Sequence, residues 1–384
     1  MKAYKFKIYQ SKRNHYLVGL IFIAAQIWNH SIALHKRYYR LYGKHLNVYQ
    51  LKKHITKLKK LPKYKHWNQL GSQAVQDVVL RINKSYNLFF SNLKSREANK
   101  IKRFVSPPNF KKSRKYKSFT LTQAGYEFLG GNKIRIGKKV FKFFKSRNIQ
   151  GNVKTLTIKR DAVGDLWLIA TTDWEDTPPE INPRNGNSIG FDFGLKTYLT
   201  GSDGCCFESP LFFKRGLRKI RRANQQLSRK KRGSRNRLKA HFHLARVHRR
   251  VANQRNDYHW KLAHQITDRY DVICFEDLNL SAMQRLWGRK ITDLGFYSFL
   301  QKVEYLAKKK GRIVRFIDRW FPSSKMCHVC GVLNKSLELR DRQWACDSCN
   351  TYHDRDLNAA INIHAVGTST ANGVTVRPAT TVGK

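Results

Sequence analysis

The sequence is poor in acidic residues. Only 25 of its 384 residues are Asp or Glu, against 76 Lys and Arg, so the formal net charge is +51, and Ser209 to Asn256 contain no acid at all. With so few acidic residues, most Lys and Arg side chains have no acidic partner within the chain. This excess of positive charge favours nucleic acid, a polyanion, as the binding partner. With 41% hydrophobic and 12% aromatic residues, the chain can still bury a core, which excludes a basic disordered protein.

A long apolar run is also missing. Leu17 to Ala25 are apolar after a basic start, as in a signal peptide, but a bilayer span needs about 20 such residues. Trp28 and Ile32 continue this pattern at helical spacing. The segment is therefore predicted to be a buried helix, and no membrane partner is expected.

Cysteines are few and odd in number, seven in all, which argues against a disulfide framework and for a reducing compartment. Four of them form two C-x-x-C units, Cys327 with Cys330 and Cys346 with Cys349. Two such knuckles can supply the four thiolates of a closed, structural Zn²⁺ site. The other three cysteines are interpreted as ordinary hairpin or core residues, and His328 as superfluous to the zinc ligands.

Hydrophobic periodicity divides the chain. Ala3 to Tyr9 alternate as a strand, residues 16–93 have a helical period, and alternation returns between residues 133 and 172. The opening strand is predicted to pair with the later ones, in a small antiparallel barrel or sheet that carries the helices as an insertion. After a turn-rich boundary at 177–186, strands and helices mix, which predicts an α/β core.

The acid-free stretch is read as two basic helices joined at Gly233. A solvated helix face would pair its charges at i,i+4, and this stretch offers no acidic partners. We therefore expect it to follow a phosphate backbone. The candidate contacts are Arg218, Arg222, Arg229, Lys230 and Arg232.

Three acids from distant segments are candidate ligands for Mg²⁺. Asp192 lies in an apolar strand, Glu276 ends a second one, and Asp356 starts a helix, with Asp354 as its nearby competitor. A buried carboxylate needs a partner, and clustered carboxylates repel one another unless cations bind between them. Two Mg²⁺ ions at such a site can hydrolyse phosphodiesters.

Four ordered motifs resemble the transposon-encoded TnpB nucleases, which are compact relatives of type V CRISPR effectors. They are Gly-Phe-Asp-Phe-Gly at 190–194, Phe-Glu-Asp-Leu at 275–278, Phe-Pro-Ser-Ser-Lys-x-Cys at 321–327 and His-Asp-Arg-Asp-Leu-Asn-Ala-Ala-Ile-Asn-Ile at 353–363. The resemblance runs from the opening strand to Val376-Arg-Pro378. Phe193 departs from it, because many relatives have an aliphatic residue there.

The resemblance implies a multidomain α/β protein: a RuvC-type, RNase H-like nuclease core with a zinc-ribbon-like insertion, and a wedge β-barrel that carries a helical recognition module. The implied boundaries are 1–14 and 101–180 for the wedge, 15–100 for the recognition module, 181–320 and 351–366 for the nuclease core, 321–350 for the zinc insertion and 367–384 for a flexible tail.

The same resemblance assigns Asp192, Glu276 and Asp356 as the three RuvC acids, with Asp356 preferred over Asp354 and Asp277 given a supporting role. It implies a transposon-derived guide RNA, and cleavage of double-stranded DNA beside a short transposon-adjacent motif, with 5′-phosphate and 3′-hydroxyl ends. We expect a monomer on one guide RNA, in the cytoplasm of a prokaryote and associated with the nucleoid.

The flanking motif has its own candidate readers. Gln73 and Gln76 lie on one predicted helix, and glutamine can contact adenine edges; Thr122 and Gln123 follow the basic linker. A merely polar helix face is the alternative for the two glutamines. For the whole chain, the alternatives are a non-cleaving, zinc-containing regulator of transposition and a strand-transferring DNA transposase.

Overall fold

A computed structural model describes residues 1–98, 104–175, 177, 186–338 and 340–369. The chain forms two compact units, Met1–Glu175 and Asp176–Lys384. Most of the predicted turn-rich boundary at 177–186, the end of the predicted tail and the Val376-Arg-Pro378 part of the resemblance lie outside the described residues.

The first unit contains seven described strands in two antiparallel sheets. The larger sheet has the order β1-β7-β6-β2 and the smaller one β3-β4-β5, and an isolated bridge between Ile8 and Phe143 links them. The opening strand pairs with β7, as the alternation predicted. The strands are β1 (Lys2–Lys7), β2 (Ser118–Leu121), β3 (Tyr126–Phe128), β4 (Lys133–Ile136), β5 (Lys139–Lys142), β6 (Val153–Arg160) and β7 (Leu166–Thr172).

Between β1 and β2 the chain is largely helical. Its helices are α1 (Asn14–Tyr42), α2 (Val48–Leu58), a 3-10 helix (Pro62–Leu70) and α3 (Ser72–Glu97), with a short 3-10 turn at Ser113–Lys115. α1 is long and apolar enough to cross a membrane by length and composition alone. Most apolar residues between Leu17 and Ile32 are instead buried in one hydrophobic cluster with the strands, as the helical spacing predicted, although Phe22 is exposed.

The second unit is built on a mixed five-stranded sheet of order β10-β9-β8-β11-β12. β8 (Ser188–Phe193), β9 (Thr197–Gly201) and β10 (Cys206–Glu208) form an antiparallel meander. β11 (Val272–Glu276) and β12 (Ile313–Ile317) add parallel to β8. Two turns connect these three strands, one at residues 194–196 and one at residues 202–205.

Helices cover both faces of this sheet. α4 (Phe212–Ser228) and α5 (Arg235–Arg269) pack together, α6 (Leu280–Leu294) and α7 (Phe296–Lys310) precede β12, and α8 (Arg355–Thr368) follows a small hairpin of β13 (Gln343–Ala345) and β14 (Tyr352–Asp354). α4 and α5 meet at Gly233 as predicted. α5 continues unbroken from Arg235 to Arg269, because no helix-breaking residue interrupts it.

Candidate active site

Asp192 lies on the face of the sheet that α8 covers. Side chains alternate along a strand, so Phe191 and Phe193 enter the core shared with α5 and α7, whereas Gly190 and Asp192 share the opposite face. Phe193 stacks on Phe275 with ring centroids 5.4 Å apart, which explains how an aromatic fits at this position. Asp192 itself is half-buried.

Glu276 reaches the same place through strand register. β8 and β11 are parallel, and Phe275 lies opposite Phe191. The next residues along the two strands are Glu276 and Asp192, so they are cross-strand neighbours on one face. Glu276 is the last residue of β11 and is also half-buried. The sheet therefore brings together two acids that are far apart in sequence.

Two glycines let α8 lie directly on this face. A Cβ on Gly190 would lie 2.5 Å from the Ala360 carbonyl oxygen and even closer to the backbone nitrogen of His364. A Cβ on Gly367 would collide with the thiol of Cys274. Both contacts are closer than real side chains allow. The glycines thus set the depth of α8 on the sheet, and with it the position of the acids at its N-terminus.

The first turn of α8 separates the roles of Asp354 and Asp356. Asp354 is the N-cap, and its carboxylate accepts hydrogen bonds from the backbone N–H groups of Asp356 and Leu357, each at 3.0 Å. Asp356 instead forms ion pairs with Arg342 at 3.2 Å and Arg355 at 3.5 Å. Capping accounts for Asp354, which favours Asp356 as the site acid.

The three carboxylates interact electrostatically. Burial raises the pKa of Asp192, the charges of Asp356 and Glu276 add to the rise, and Arg355 opposes it, so that the pKa is about 7. All three predicted acids therefore share one neighbourhood. Arg342 and Arg355, which the sequence analysis did not single out, are the basic residues that neutralise part of its charge.

Glu276 has the same kind of environment. Burial raises its pKa, neighbouring Asp277 adds to the rise and the Ser323 side chain opposes it, so that the pKa is about 7. Asp277 forms an ion pair with Arg319. That pairing agrees with a supporting role for Asp277.

These residues fit divalent cations. Carboxylate oxygens are the preferred ligands of Mg²⁺, and a cation would relieve the repulsion and burial that raise both pKa values. Among the described residues, the carboxylate oxygens of Asp192, Glu276 and Asp356 do not all lie within 4.8 Å of one another. One other group of side chains does meet this distance. The acids are neighbours rather than a closed cage.

That other group is the four predicted zinc ligands. The Sγ atoms of Cys327, Cys330, Cys346 and Cys349 all lie within 4.8 Å of one another, with 3.6 Å between Cys327 and Cys349 and 3.5 Å between Cys330 and Cys346. Tetrahedral Zn–S bonds of about 2.3 Å require sulfurs slightly under 4 Å apart, so the group fits a structural Zn²⁺. Trp344 and Leu337 form a small core around it.

Two histidines flank the zinc ligands. The Nε2 atom of His353 lies 3.1 Å from the Cys327 sulfur, a contact that the sequence analysis missed because 26 residues separate them. The ring Nδ1 of His328 and its backbone N–H both contact the Asn358 side-chain oxygen, at 2.9 Å and 3.0 Å. His328 is thus a structural residue, in agreement with its predicted exclusion from the ligands.

The predicted phosphate-binding residues of α4 and of the turn between α4 and α5 are exposed to solvent. All five predicted phosphate contacts on α4 and in the turn that follows it are exposed, while Ile220, Ala223 and Val251 are buried where the two helices pack. Arg237 is used differently: it donates to the carbonyl oxygens of Leu227 and Lys230, at 2.9 Å each, and closes the end of α4. The predicted contacts are Arg218, Arg222, Arg229, Lys230 and Arg232.

Two of the four residues predicted to contact the flanking DNA motif, Gln73 and Thr122, lie in contact with each other. The hydroxyl of Thr122 donates to the side-chain oxygen of Gln73, so the loop after β2 meets the start of α3. Gln73 also lines a cavity of about 160 Å³, together with Gln69 and other residues. Gln76 and Gln123 are exposed. Sequence spacing alone could not have paired two residues 49 positions apart.

Comparison with known proteins gives consistent matches. Residues 172–286 match the family model OrfB_IS605, described as "Probable transposase", and residues 296–363 match the "Cas12f1-like, TNB domain". The chain is 36% identical over 228 residues to a "Putative RNA-guided DNA endonuclease" of Streptomyces pristinaespiralis, covering 58% of this chain and 56% of that protein.

Further relatives agree. InsQ of Escherichia coli K12, named a "Putative RNA-guided DNA endonuclease", is 26% identical over 314 residues, 77% of this chain and 74% of the relative. TnpB-like protein L79 of Acanthamoeba polyphaga mimivirus is 30% identical over 230 residues, 56% and 43% of the two chains. The chain spans about half the length of the first of these curated relatives.

Two solved structures share the fold. The Cas12f1 chain of a cryo-EM complex with sgRNA and target DNA matches with a TM-score of 0.54 and 16% identity, over 92% of this chain and 83% of that one. The mini-RNA-guided endonuclease CRISPR-Cas_phi3 matches with a TM-score of 0.53 and 10% identity, over 95% and 92%. The mixed α/β fold is therefore shared with these effectors.

Proposed function

We propose that the chain is a member of the TnpB family and an RNA-guided endonuclease that cleaves double-stranded DNA beside a short transposon-adjacent motif. One observation carries this proposal. Asp192, Glu276 and Asp356 come from three separate segments and interact on one face of the mixed sheet. Structural residues have no reason to accumulate like charges in a half-buried place, whereas a metal-dependent nuclease needs them.

The sheet order supports a RuvC-type, RNase H-like core. Three antiparallel strands followed by two parallel ones put β8 at the centre, and the first acid lies on that strand. Two Mg²⁺ ions held by the three acids would activate the attacking water and stabilise the leaving oxygen of the phosphodiester. Arg342 and Arg355 help to hold Asp356 in place.

The remaining surfaces suggest where nucleic acid binds. We assign the exposed basic residues of α4 and the turn that follows it to phosphates of the guide RNA or its duplex with the target. The contact between Thr122 and Gln73 supports their role, with Gln76 and Gln123, in reading the flanking motif. Zinc is structural in this scheme, because all four of its ligands are cysteines.

The domain assignment follows the same scheme. We propose that the β-sheets of the first unit are the wedge and that its helices 15–100 are the recognition module, while the second unit holds the nuclease core and the zinc insertion. We also propose a monomer on one guide RNA, acting on the nucleoid in a prokaryotic cytoplasm. Sequence specificity would then come from base pairing with the guide.

One alternative has an observation in its favour: the model that matches residues 172–286 is described as a transposase. A transposase would join DNA ends as well as cut them, and it would need no RNA. A non-cleaving regulator is the other alternative, and the three interacting acids argue against it.

A purification with a library assay tests the proposal. The protein is purified from cells that also express its flanking transposon DNA, and it is incubated with Mg²⁺ and plasmids that carry a guide-matched target with randomised flanks. We expect a defined RNA to co-purify, and only plasmids with one flanking motif to be linearised. Asp192→Ala should bind the same RNA and leave every plasmid intact.

The other outcomes point elsewhere. Cleavage without RNA would refute guided cutting. Strand joining would indicate a transposase, and RNA binding without cleavage by the unaltered protein would indicate a regulator.

A further inference from the structure

His353 lies beside the four cysteines of the zinc module, where β14 passes them. Its side chain is only 2% exposed and packs on the rings of Trp344 and His328, with centroid distances of 4.6 Å and 4.8 Å. Strand register explains the contact with Trp344, because β13 and β14 pair antiparallel with that residue opposite His353. The two rings restrict the orientation of the imidazole, and its Nε2 atom lies 3.1 Å from the sulfur of Cys327.

A second side chain of the same segment contacts another of the cysteines. The hydroxyl of Thr351 lies 3.2 Å from the sulfur of Cys349. Thr351 and His353 are two positions apart, and alternate side chains of an extended segment point to the same face. Tyr352 between them is 66% exposed, as that alternation requires. One face of the segment therefore presents a hydroxyl and a ring nitrogen to two different cysteines.

Zinc binding gives both contacts a direction. A cysteine binds Zn²⁺ as a thiolate, which has no proton and can only accept hydrogen bonds. Thr351 must then donate through its hydroxyl, and His353 through a proton on Nε2. Hydrogen bonds to a charged acceptor are stronger than those between neutral groups. Such partners orient the metal ligands and raise the affinity of the site for its metal.

The same segment leads directly into the helix that starts with Asp356. Asp354 ends β14 and caps α8, and the backbone N–H of Arg355 donates to the carbonyl oxygen of Arg342 at 2.8 Å. Arg342 directly precedes β13 and forms an ion pair with Asp356 at 3.2 Å. The hairpin that contacts the zinc ligands therefore also contacts the first turn of α8, through its backbone and through one side chain.

We propose that His353 and Thr351 are positioning residues of the zinc site. The first donates a hydrogen bond to the thiolate of Cys327, and the second donates one to the thiolate of Cys349. Zinc binding thereby fixes the hairpin of β13 and β14, and with it the first turn of α8. The role toward zinc does not depend on what the protein cleaves. Its consequence for Asp356 rests on the proposed function, in which that acid binds a divalent cation.

Two pairs of variants separate the hydrogen bonds from packing. The amide nitrogen of glutamine can take the place of the imidazole Nε2, whereas the shorter asparagine cannot reach it, so His353→Gln keeps the donor and His353→Asn loses it. Thr351→Ser keeps a hydroxyl, and Thr351→Val replaces it with a methyl group of similar size. Each full-length protein is loaded with Zn²⁺ and titrated with a colorimetric chelator, and its melting temperature is recorded. A Co²⁺-loaded sample of each gives the absorption band for charge transfer from sulfur to metal.

Loss of a partner of a metal ligand commonly weakens metal binding by about 10-fold to 100-fold. We therefore expect His353→Asn to bind zinc at least about 10-fold more weakly than His353→Gln, which should stay close to the unaltered protein. Thr351→Val should bind zinc more weakly than Thr351→Ser. In both variants that lack a donor, the charge-transfer band should move to lower energy, because a hydrogen bond withdraws electron density from the sulfur.

Hydrogen exchange tests the connection to α8. The backbone N–H groups of Asp356 and Leu357 are bonded to the capping carboxylate of Asp354, so their exchange reports on the first turn of the helix. At limiting zinc, these amides should exchange faster in His353→Asn than in His353→Gln, while the amides of β11 exchange equally in both. Equal exchange in the first turn of α8 would show that the zinc module does not hold it.

The outcomes are distinguishable. If the unaltered protein binds no zinc, or if His353→Asn and His353→Gln bind it equally well, the positioning role of His353 is wrong. Equal zinc affinity in Thr351→Val and Thr351→Ser refutes the role of Thr351. A lower melting temperature with an unchanged charge-transfer band would reduce both residues to packing and also overturn the inference. None of these measurements uses DNA cleavage, so a failure of the unaltered protein to cleave would refute the proposed function and leave the zinc result standing.

Discussion

Replacing Asp192 with asparagine should stabilise the protein while removing its activity. In the absence of a divalent cation, burial and the neighbouring carboxylates disfavour the charged form of Asp192, and they raise its pKa from the ordinary 3.8 to about 7. Asparagine has almost the same shape and no charge. The variant should therefore be free of an electrostatic cost that the unaltered protein has at neutral pH.

The size of the effect follows from the pKa. The difference between a pKa of 3.8 and one of about 7 corresponds to about 4 kcal/mol at pH 8, because a tenfold change in an acid dissociation constant is worth about 1.4 kcal/mol. Asp192 is partly accessible to water, so we expect about 2 kcal/mol. For a unit of about 200 residues, this is a rise in melting temperature of roughly 4 to 8 °C.

The pH dependence has a definite sign. The folded state holds the Asp192 proton up to about pH 7, whereas the unfolded state releases it near pH 4, so the metal-free protein loses stability as the pH rises between these values. The advantage of Asp192→Asn should be complete above pH 7 and should disappear near pH 4. Glu276 contributes a loss in the same window.

Calorimetry in Mg²⁺-free buffer at several pH values measures this, without a strong chelator, which would also remove zinc. Asp354→Asn is the matched control, because asparagine caps a helix as well as aspartate does. Added Mg²⁺ should stabilise the unaltered protein at pH 8 but not Asp192→Asn. Equal melting temperatures for the variant and the unaltered protein at pH 8 would refute the reasoning.

Four further predictions concern other parts of the second unit. Asp356→Ala should reduce plasmid cleavage to the level of an Asp192→Ala control, whereas Asp354→Asn should cut at nearly the normal rate. Gly190→Ala should destabilise the protein by about 1–3 kcal/mol in denaturant unfolding, because its Cβ would collide with the α8 backbone. Cys346→Ser should lower the bound zinc measured by a colorimetric metal assay, and unchanged zinc would exclude the cysteine as a ligand. Arg222→Gln should reduce the slope of log affinity for RNA against log salt by about 1, and an unchanged slope would mean that it binds no phosphate.

Much of the fold was predictable because its signals are local. The alternation between residues 133 and 172 predicted strands in this region, and β4 and β7 are found there, with burial that alternates along each strand. The two cysteine knuckles predicted the zinc module because four thiolates at that spacing have few other uses. The three acids stood out in the same way, as charges placed at the ends of apolar segments.

What the sequence by itself determined is the set of chemical groups: the acids, the thiolates and the basic helices, each legible within a few neighbouring residues. Only the tertiary structure decided which groups meet. Strand register puts Glu276 beside Asp192, and N-capping distinguishes Asp354 from Asp356. Asn358 and Asn362 on α8 donate hydrogen bonds to the carbonyl oxygen of Ser323. Such contacts join residues that are tens of positions apart in sequence. They depend on how the whole unit packs, and a local sequence pattern contains no information about that packing.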